Sequence, residues 1–148
     1  MRPIILVPLD GSAGSEAVLP EVGRLAETEG AAVRLLHVAK PVAAVMEEDR
    51  VVRYADQEAA RVTQEARAYL LRAAAALPGI DVDLAVRFGD PVGEIVREAE
   101  RPGVKLVAMA THRRTGLGRI LAGSVAERVE RATRVPVLLV RYGEAIAV

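Results

Sequence analysis

Cysteine and tryptophan are both absent from this 148-residue chain. Without thiols there can be no disulfide, no thiolate zinc ribbon and no cysteine nucleophile, and a reducing compartment is permitted. Aromatic residues make up only 3%, too few to sandwich a flavin. His37 and His112 are the only two histidines, which leaves little material for a metal site built on imidazole. Charge of one sign is not in surplus either. Twenty basic residues face twenty acidic ones, and a chain that grips nucleic acid or an anionic membrane needs a basic excess. Long apolar runs are missing too. Ile4 to Val7 is closed by Pro8 and Asp10, too short for a signal-peptide core, and nothing approaches the roughly 18 apolar residues of a membrane span. These absences predict a cytoplasmic protein with neither nucleic acid nor membrane as partner.

What is present suits a packed core. Hydrophobic residues make up 51% and charged residues 27%, the balance of a soluble globular fold, and the length fits a single domain over 1–148. The hydrophobic period then switches back and forth. Residues 3–9 form an unbroken apolar run ending at Asp10-Gly11-Ser12, the pattern of a strand buried on both faces. Val18, Val22, Leu25 and Ala26 recur at helical spacing over 13–29, with Ser12 as candidate cap and Pro20 as an expected distortion. Residues 31–38 read as a second strand, and 39–50 as a long loop.

A helix is predicted over 51–77, on the face Ala55, Ala59, Val62, Ala66, Tyr69, Ala73 and Leu77. Val82, Leu84 and Val86 alternate with polar residues over 81–87, which suits an edge strand. Asp90-Pro91 opens the next helix, residues 104–109 form a buried strand, and 110–122 is a loop rich in glycine and arginine. Ser124 with Glu127 makes a capping box for a helix to about 133. Pro136 to Val140 closes the chain as the last strand.

Helices alternating with strands imply right-handed parallel crossovers and a doubly wound, Rossmann-like five-stranded parallel sheet. An edge position for strand three favours the order 3-2-1-4-5. Ligands of such sheets bind beyond the carboxyl ends of the strands where the order reverses. Here that point lies between strands one and four, so the loops after Leu9 and after Met109 should meet there.

Those two loops hold the candidate site residues. Gly123-Ser124 opens a helix, whose first amides carry partial positive charge and can meet an anion. Arg113, Arg114 and Arg119 stand in the preceding loop and can neutralise phosphate. No G-x-x-x-x-G-K-[ST] motif occurs, and Gly116-Leu117-Gly118 lacks the third glycine of a dinucleotide fingerprint. Asp10 can accept from a ribose hydroxyl or hold a divalent cation; alternatively it only supports the turn with Gly11. For His112 and His37, structural roles on loop backbone or at the core's rim are the simpler expectation.

Four segments together resemble the universal stress protein family: Ile5 to Ser12, Leu35 to Val38, Thr111 to Arg128, and Pro136 to Arg141. The resemblance implies the order 3-2-1-4-5 and a homodimer formed through the last strand, 136–141. Many members of that family bind ATP through Gly, two residues, Gly, nine residues, Gly, then Ser or Thr. The aligned positions are Ala110, Arg113, Gly123 and Ser124, so the last two match and the first two depart. The resemblance also implies nucleotide contacts at Pro8, Leu9 and Asp10, at Val38 and Met109 for the adenine, and at Val125 beside Ser124.

Magnesium would arrive with the nucleotide and touch Asp10. Arg113 either blocks the phosphate space or clamps the phosphates. If it blocks, the chain is a dimeric interaction protein without nucleotide. Catalysis beyond slow ATP hydrolysis or self-phosphorylation is not expected, because no second carboxylate joins Asp10 and no residue stands out as a base.

Overall fold

A computed structural model describes residues 2–42, 45–47, 50–53, 55–112 and 124–142. Five parallel strands form the main sheet: β1 Ile4–Pro8, β2 Ala32–Ala39, β5 Val82–Phe88, β6 Val104–His112 and β7 Val137–Tyr142. Their order is β5-β2-β1-β6-β7, which is 3-2-1-4-5 when the sheet's strands alone are counted. The alternating strand is indeed an edge, since among the described residues β5 pairs with β2 alone.

Successive strand residues point to opposite faces, so each central strand feeds two cores. Ile5 and Val7 of β1 join Leu35 of β2 under helices α1 (Leu19–Glu29) and α2 (Ala55–Ala74), with Val22 and Leu70 from the helices wholly enclosed. Leu6 and Leu36, pointing the other way, pack under α3 (Pro91–Ala99) and α4 (Val125–Ala132) against Ile95 and Val129. Leu6, Val7, Leu35 and Leu36 are all at 0% exposure, which is why these strands read as unbroken apolar runs.

Three local expectations need correction. Pro20 does not distort the middle of a helix. A single 3-10 turn, Ser15–Val18, precedes α1, and Pro20 falls in the helix's first turn, where its missing N–H would have had no partner in any case. Residues 39–50 are not simply a loop, nor does the next helix begin at 51. Strands β3 Val45–Glu47 and β4 Arg50–Arg53 pair antiparallel as a separate two-stranded sheet. Val45, Val51 and Val52 supply the β-branched side chains that favour extended backbone.

Helix α2 begins at Ala55 and its regular part ends at Ala74. The amides of Ala75, Ala76 and Leu77 then bond to carbonyls three residues back, the tightened last turn by which helices satisfy their terminal carbonyls. The fourth strand of the sheet also runs past its expected end at Met109, to His112.

Candidate functional site

Strands β1 and β6 are neighbours whose crossovers leave in opposite directions, β1 towards β2 and β6 towards β7. A cleft of about 440 Å³ opens above their carboxyl ends. Pro8, Leu9 and Asp10 line it from the end of β1, Val38 from β2, Met109 and Ala110 from β6, and Ser124 and Val125 from the start of α4. The structure thus brings together eight of the sequence-derived site residues. Arg113 and Gly123 lie outside the described residues, as do Arg114 and Arg119.

Sequence reasoning missed six further wall residues. Ser15, Leu36, Pro91, Ile95, Thr111 and Ala126 also line the cleft. Some signals were available. Leu36 shares a strand face with Val38, and Thr111 with Met109, by the period of two. Pro91 and Ile95 stand one turn apart on α3 and face the same way. Ile95 was readable only as core, and at 3% exposure it is both core and wall.

The turn after β1 is a compact hydrogen-bonded unit. Gly11 has φ +95°, a conformation that L side chains rarely adopt. That reversal lets Ser12 fold back on Asp10. The Ser12 amide donates to Asp10 Oδ1 at 2.8 Å and the Ser12 hydroxyl to the same oxygen at 2.6 Å. The Asp10 amide in turn donates to Ser15 Oγ at 3.3 Å, and the Ser15 hydroxyl to the Ser12 carbonyl at 2.9 Å. Partial burial pushes the Asp10 carboxyl upward. The bonds from Ser12, helped by Ser15, outweigh it and hold the group below its ordinary value. Asp10 therefore does support the turn, and it is also a residue of the cleft wall.

Ser124 caps α4 as expected. Its hydroxyl oxygen accepts the Glu127 amide at 3.2 Å, which leaves the hydroxyl hydrogen free to donate elsewhere. The amides of Val125 and Ala126 are the first two of the helix, at its positive end. Helix α3 also presents its first turn to the cleft through Pro91, behind an Asp90 cap that accepts the Gly93 amide at 2.9 Å.

His37 is structural. Its Nδ1 lies 2.9 Å from the Leu9 carbonyl oxygen, and since a carbonyl only accepts, Nδ1 carries the proton.

A cation could find little here besides Asp10. Among the described residues no group of three or more His, Cys, Asp or Glu side chains is placed to hold a metal. A hard divalent ion takes six or more oxygens, so most of them would have to come from a ligand's phosphates and from water.

The fold and the cleft define a class: a doubly wound α/β domain with an open crevice at its topological switch point. Within that class the assignment is specific. Residues 1–141 match the profile of the Universal stress protein family, and the chain belongs to that family. The universal stress protein YxiE of Bacillus subtilis is 28% identical over 144 residues, covering 93% of this chain and 97% of that one. The universal stress protein MJ0531 of Methanocaldococcus jannaschii is 44% identical over 63 residues, a match spanning 43% of this chain and only 37% of that one.

Among solved structures, that of MJ0577 superposes with a TM-score of 0.75 at 30% identity, covering 98% of this chain and 99% of that one. Two others share the fold at lower identity. A universal stress protein in complex with cAMP gives a TM-score of 0.67 at 24% identity, covering 95% and 97%. One from Archaeoglobus fulgidus in complex with dAMP gives 0.65 at 21%, covering 94% and 97%. Among the described residues no helix is long and apolar enough to cross a membrane.

Proposed function

We propose that the chain is a single-domain, cytoplasmic, homodimeric stress-response protein that binds ATP, with magnesium, in the cleft above β1 and β6 and turns it over slowly or not at all. The observation that carries this reading is a 440 Å³ cleft with an ionised acceptor on one side and the amide end of α4 on the other. Its volume falls in the range of small-molecule sites, and such sites combine apolar walls with a few placed polar groups.

Val38 and Met109 offer apolar surface for the adenine. The Asp10 carboxylate, held ionised by Ser12, accepts from the ribose hydroxyls. The phosphates lie at Ser124, Val125 and Ala126, where the helix's first amides and its dipole favour negative charge. Magnesium carried by the nucleotide would be held on the protein side by Asp10 and would offset phosphate charge. Gly123 would bring the backbone close to the phosphates and Arg113 would clamp them. Two proteins of the same fold are described in complexes with cAMP and dAMP, ligands of the same chemical class.

The dimer reading rests on β7. Among the described residues it pairs with β6 alone, which leaves a six-residue edge whose sequence, Val137-Leu138-Leu139-Val140-Arg141-Tyr142, is mostly apolar. Exposed apolar edges are templates for pairing with another chain.

Calorimetric titration with magnesium ATP tests the binding, together with a search for nucleotide released on denaturing the purified protein. Saturable heat that disappears in Asp10→Ala is expected. No heat at millimolar ATP and no released nucleotide would leave the dimeric, ligand-free interaction protein. Sedimentation equilibrium tests the dimer, and a monomer at tens of micromolar would overturn it.

A further inference from the structure

The turn that carries Asp10 is gripped from behind by one side chain of α2. Tyr69 stands on the opposite side of the turn from the cleft, packed against the core under α1 and α2. Its hydroxyl donates to Glu16 Oε2 at 3.0 Å. Glu16 lies in the 3-10 turn next to Ser15, whose hydroxyl oxygen accepts the Asp10 amide. The same phenol is pushed up to about 12, first by burial and then by Glu16, while Ser15 and the Gly11 amide beside it pull the other way. The phenol is thus bonded to the residue that follows Ser15 in the same turn.

The Tyr69 ring makes a second hold. It meets the His37 imidazole edge to face, with centroids 6.2 Å apart and planes at 69°. His37 Nδ1–H donates to the Leu9 carbonyl, one residue before Asp10. One aromatic side chain therefore braces both ends of the segment Leu9 to Glu16, through His37 at one end and Glu16 at the other. The hydroxyl bond is not needed simply to bury the ring, since a phenylalanine would fill the same volume and keep the contact with His37.

We propose that Tyr69 is a positioning residue for the ligand cleft: by bracing His37 and Glu16 it fixes where the Asp10 carboxylate points, and so sets how well the cleft discriminates ligands with sugar hydroxyls from ligands without them. The sugar-discrimination part rests on the nucleotide reading above. The bracing of Asp10 does not.

The experiment has one arm for each part. In the nucleotide-free protein, hydrogen exchange of the Ser12 amide, which donates to Asp10 Oδ1, is measured by NMR in the wild type, Tyr69→Phe, Glu16→Gln and Glu16→Ala. Tyr69→Phe and Glu16→Ala should speed that exchange severalfold as the Asp10 turn loosens. Glu16→Gln keeps an acceptor for the phenol and should stay with the wild type. A Ser12 exchange rate unmoved by Tyr69→Phe would overturn the bracing. In the second arm ATP and 2′,3′-dideoxy-ATP are titrated into the wild type, Tyr69→Phe, Asp10→Asn and the double variant.

Tyr69→Phe should weaken ATP about fivefold, the worth of one well-placed hydrogen bond, and leave the dideoxy analogue unchanged. In the Asp10→Asn background it should change neither. Equal weakening of both ligands, or additive effects in the double variant, would overturn the positioning role. A wild type that binds neither ligand would instead sink the nucleotide reading, and the sugar-discrimination part with it; the hydrogen-exchange arm still decides the bracing.

Discussion

The Ser12 hydroxyl and the Asp10 carboxylate are joined by a 2.6 Å hydrogen bond across the glycine between them. The bond exists because Gly11 takes a positive φ and turns residue 12 back on residue 10. It stabilises the ionised acid, so the folded pKa lies below the ordinary value. A group with a depressed folded pKa contributes stability above the unfolded pKa and loses it as pH falls through the folded one. Ser12→Ala should therefore destabilise the protein by about 1 kcal/mol or less at neutral pH, since the pair stands at the cleft rim in partial contact with water. The gap between variant and wild type should close on acidification through the carboxylate range. Urea midpoints taken across that range check this. Parallel curves for the two proteins would show that the Ser12 bond does not set the Asp10 pKa.

On the far side of α3, Glu98 is the one buried charged residue among those described, at 3% exposure. Arg34 Nη1 reaches its Oε2 at 3.2 Å, Arg87 Nε its Oε1 at 3.2 Å, and Arg101 Nη1 the same oxygen at 3.8 Å. Strand β5 is an edge, and this cluster closes the gap between that edge and the end of α3. Glu98→Ala removes three charged contacts, but Arg34 keeps its pair with Asp83 and Arg87 and Arg101 reach water, so it should cost about 1.5–3 kcal/mol. Arg101 is 55% exposed, and Arg101→Ala should cost less than about 1 kcal/mol. Chemical denaturation of both variants compares them, and similar losses would mean that burial does not govern this network.

Asp90 starts α3, whose first turn forms part of the cleft. The cap accepts the Gly93 amide at 2.9 Å and is followed by Pro91 in the first helical position. Asp90→Ala should cost about 1 kcal/mol, and Asp90→Ser or Asn only a fraction of that. Thermal unfolding orders the series. If nucleotide binds where proposed, the alanine variant should also lose some affinity, because Pro91 and Ile95 are walls of the same cleft.

The Asp90 cap was legible in the sequence because capping is local: acid, proline and helix lie within a few residues. The same holds for Ser124 with Glu127, and for the apolar runs of β1 and β2. The sheet order followed from one further clue, the alternation of Val82, Leu84 and Val86 with Asp81, Asp83 and Arg87, which suits an edge strand. The antiparallel pair of β3 and β4 was not legible. Its two strands are three and four residues long, too short for a period of two to stand out from the helix pattern that follows. Pro20 misled for a related reason, since the start of an α-helix behind a 3-10 turn leaves no periodic mark. In the cleft, residues contributed by loops and strand ends were visible through their chemistry. Tyr69 looked like one more member of an apolar helical stripe. Its hydroxyl matters because α2 crosses behind the Asp10 turn, a long-range fact that no window along the sequence contains.

Ala110 bears directly on whether the departure from the family's glycine signature closes the cleft. It lies in β6 opposite Val140, in extended backbone that any residue adopts, so no glycine is needed there for conformation. What the substitution adds is one methyl group on a cleft wall. Ala110→Gly should thus gain little in ATP affinity, no more than about threefold, and lose about 0.5–1 kcal/mol of stability from the looser strand. Ala110→Leu places three further carbons on the same wall. It should weaken ATP at least about tenfold while costing about 1–3 kcal/mol of stability through overpacking. Calorimetry and thermal melts on the pair separate the two effects. A leucine variant that stays folded and binds ATP as tightly as the wild type would show that the ligand does not use this cleft. A glycine variant that binds far more tightly than the wild type would show that the single methyl already obstructs it.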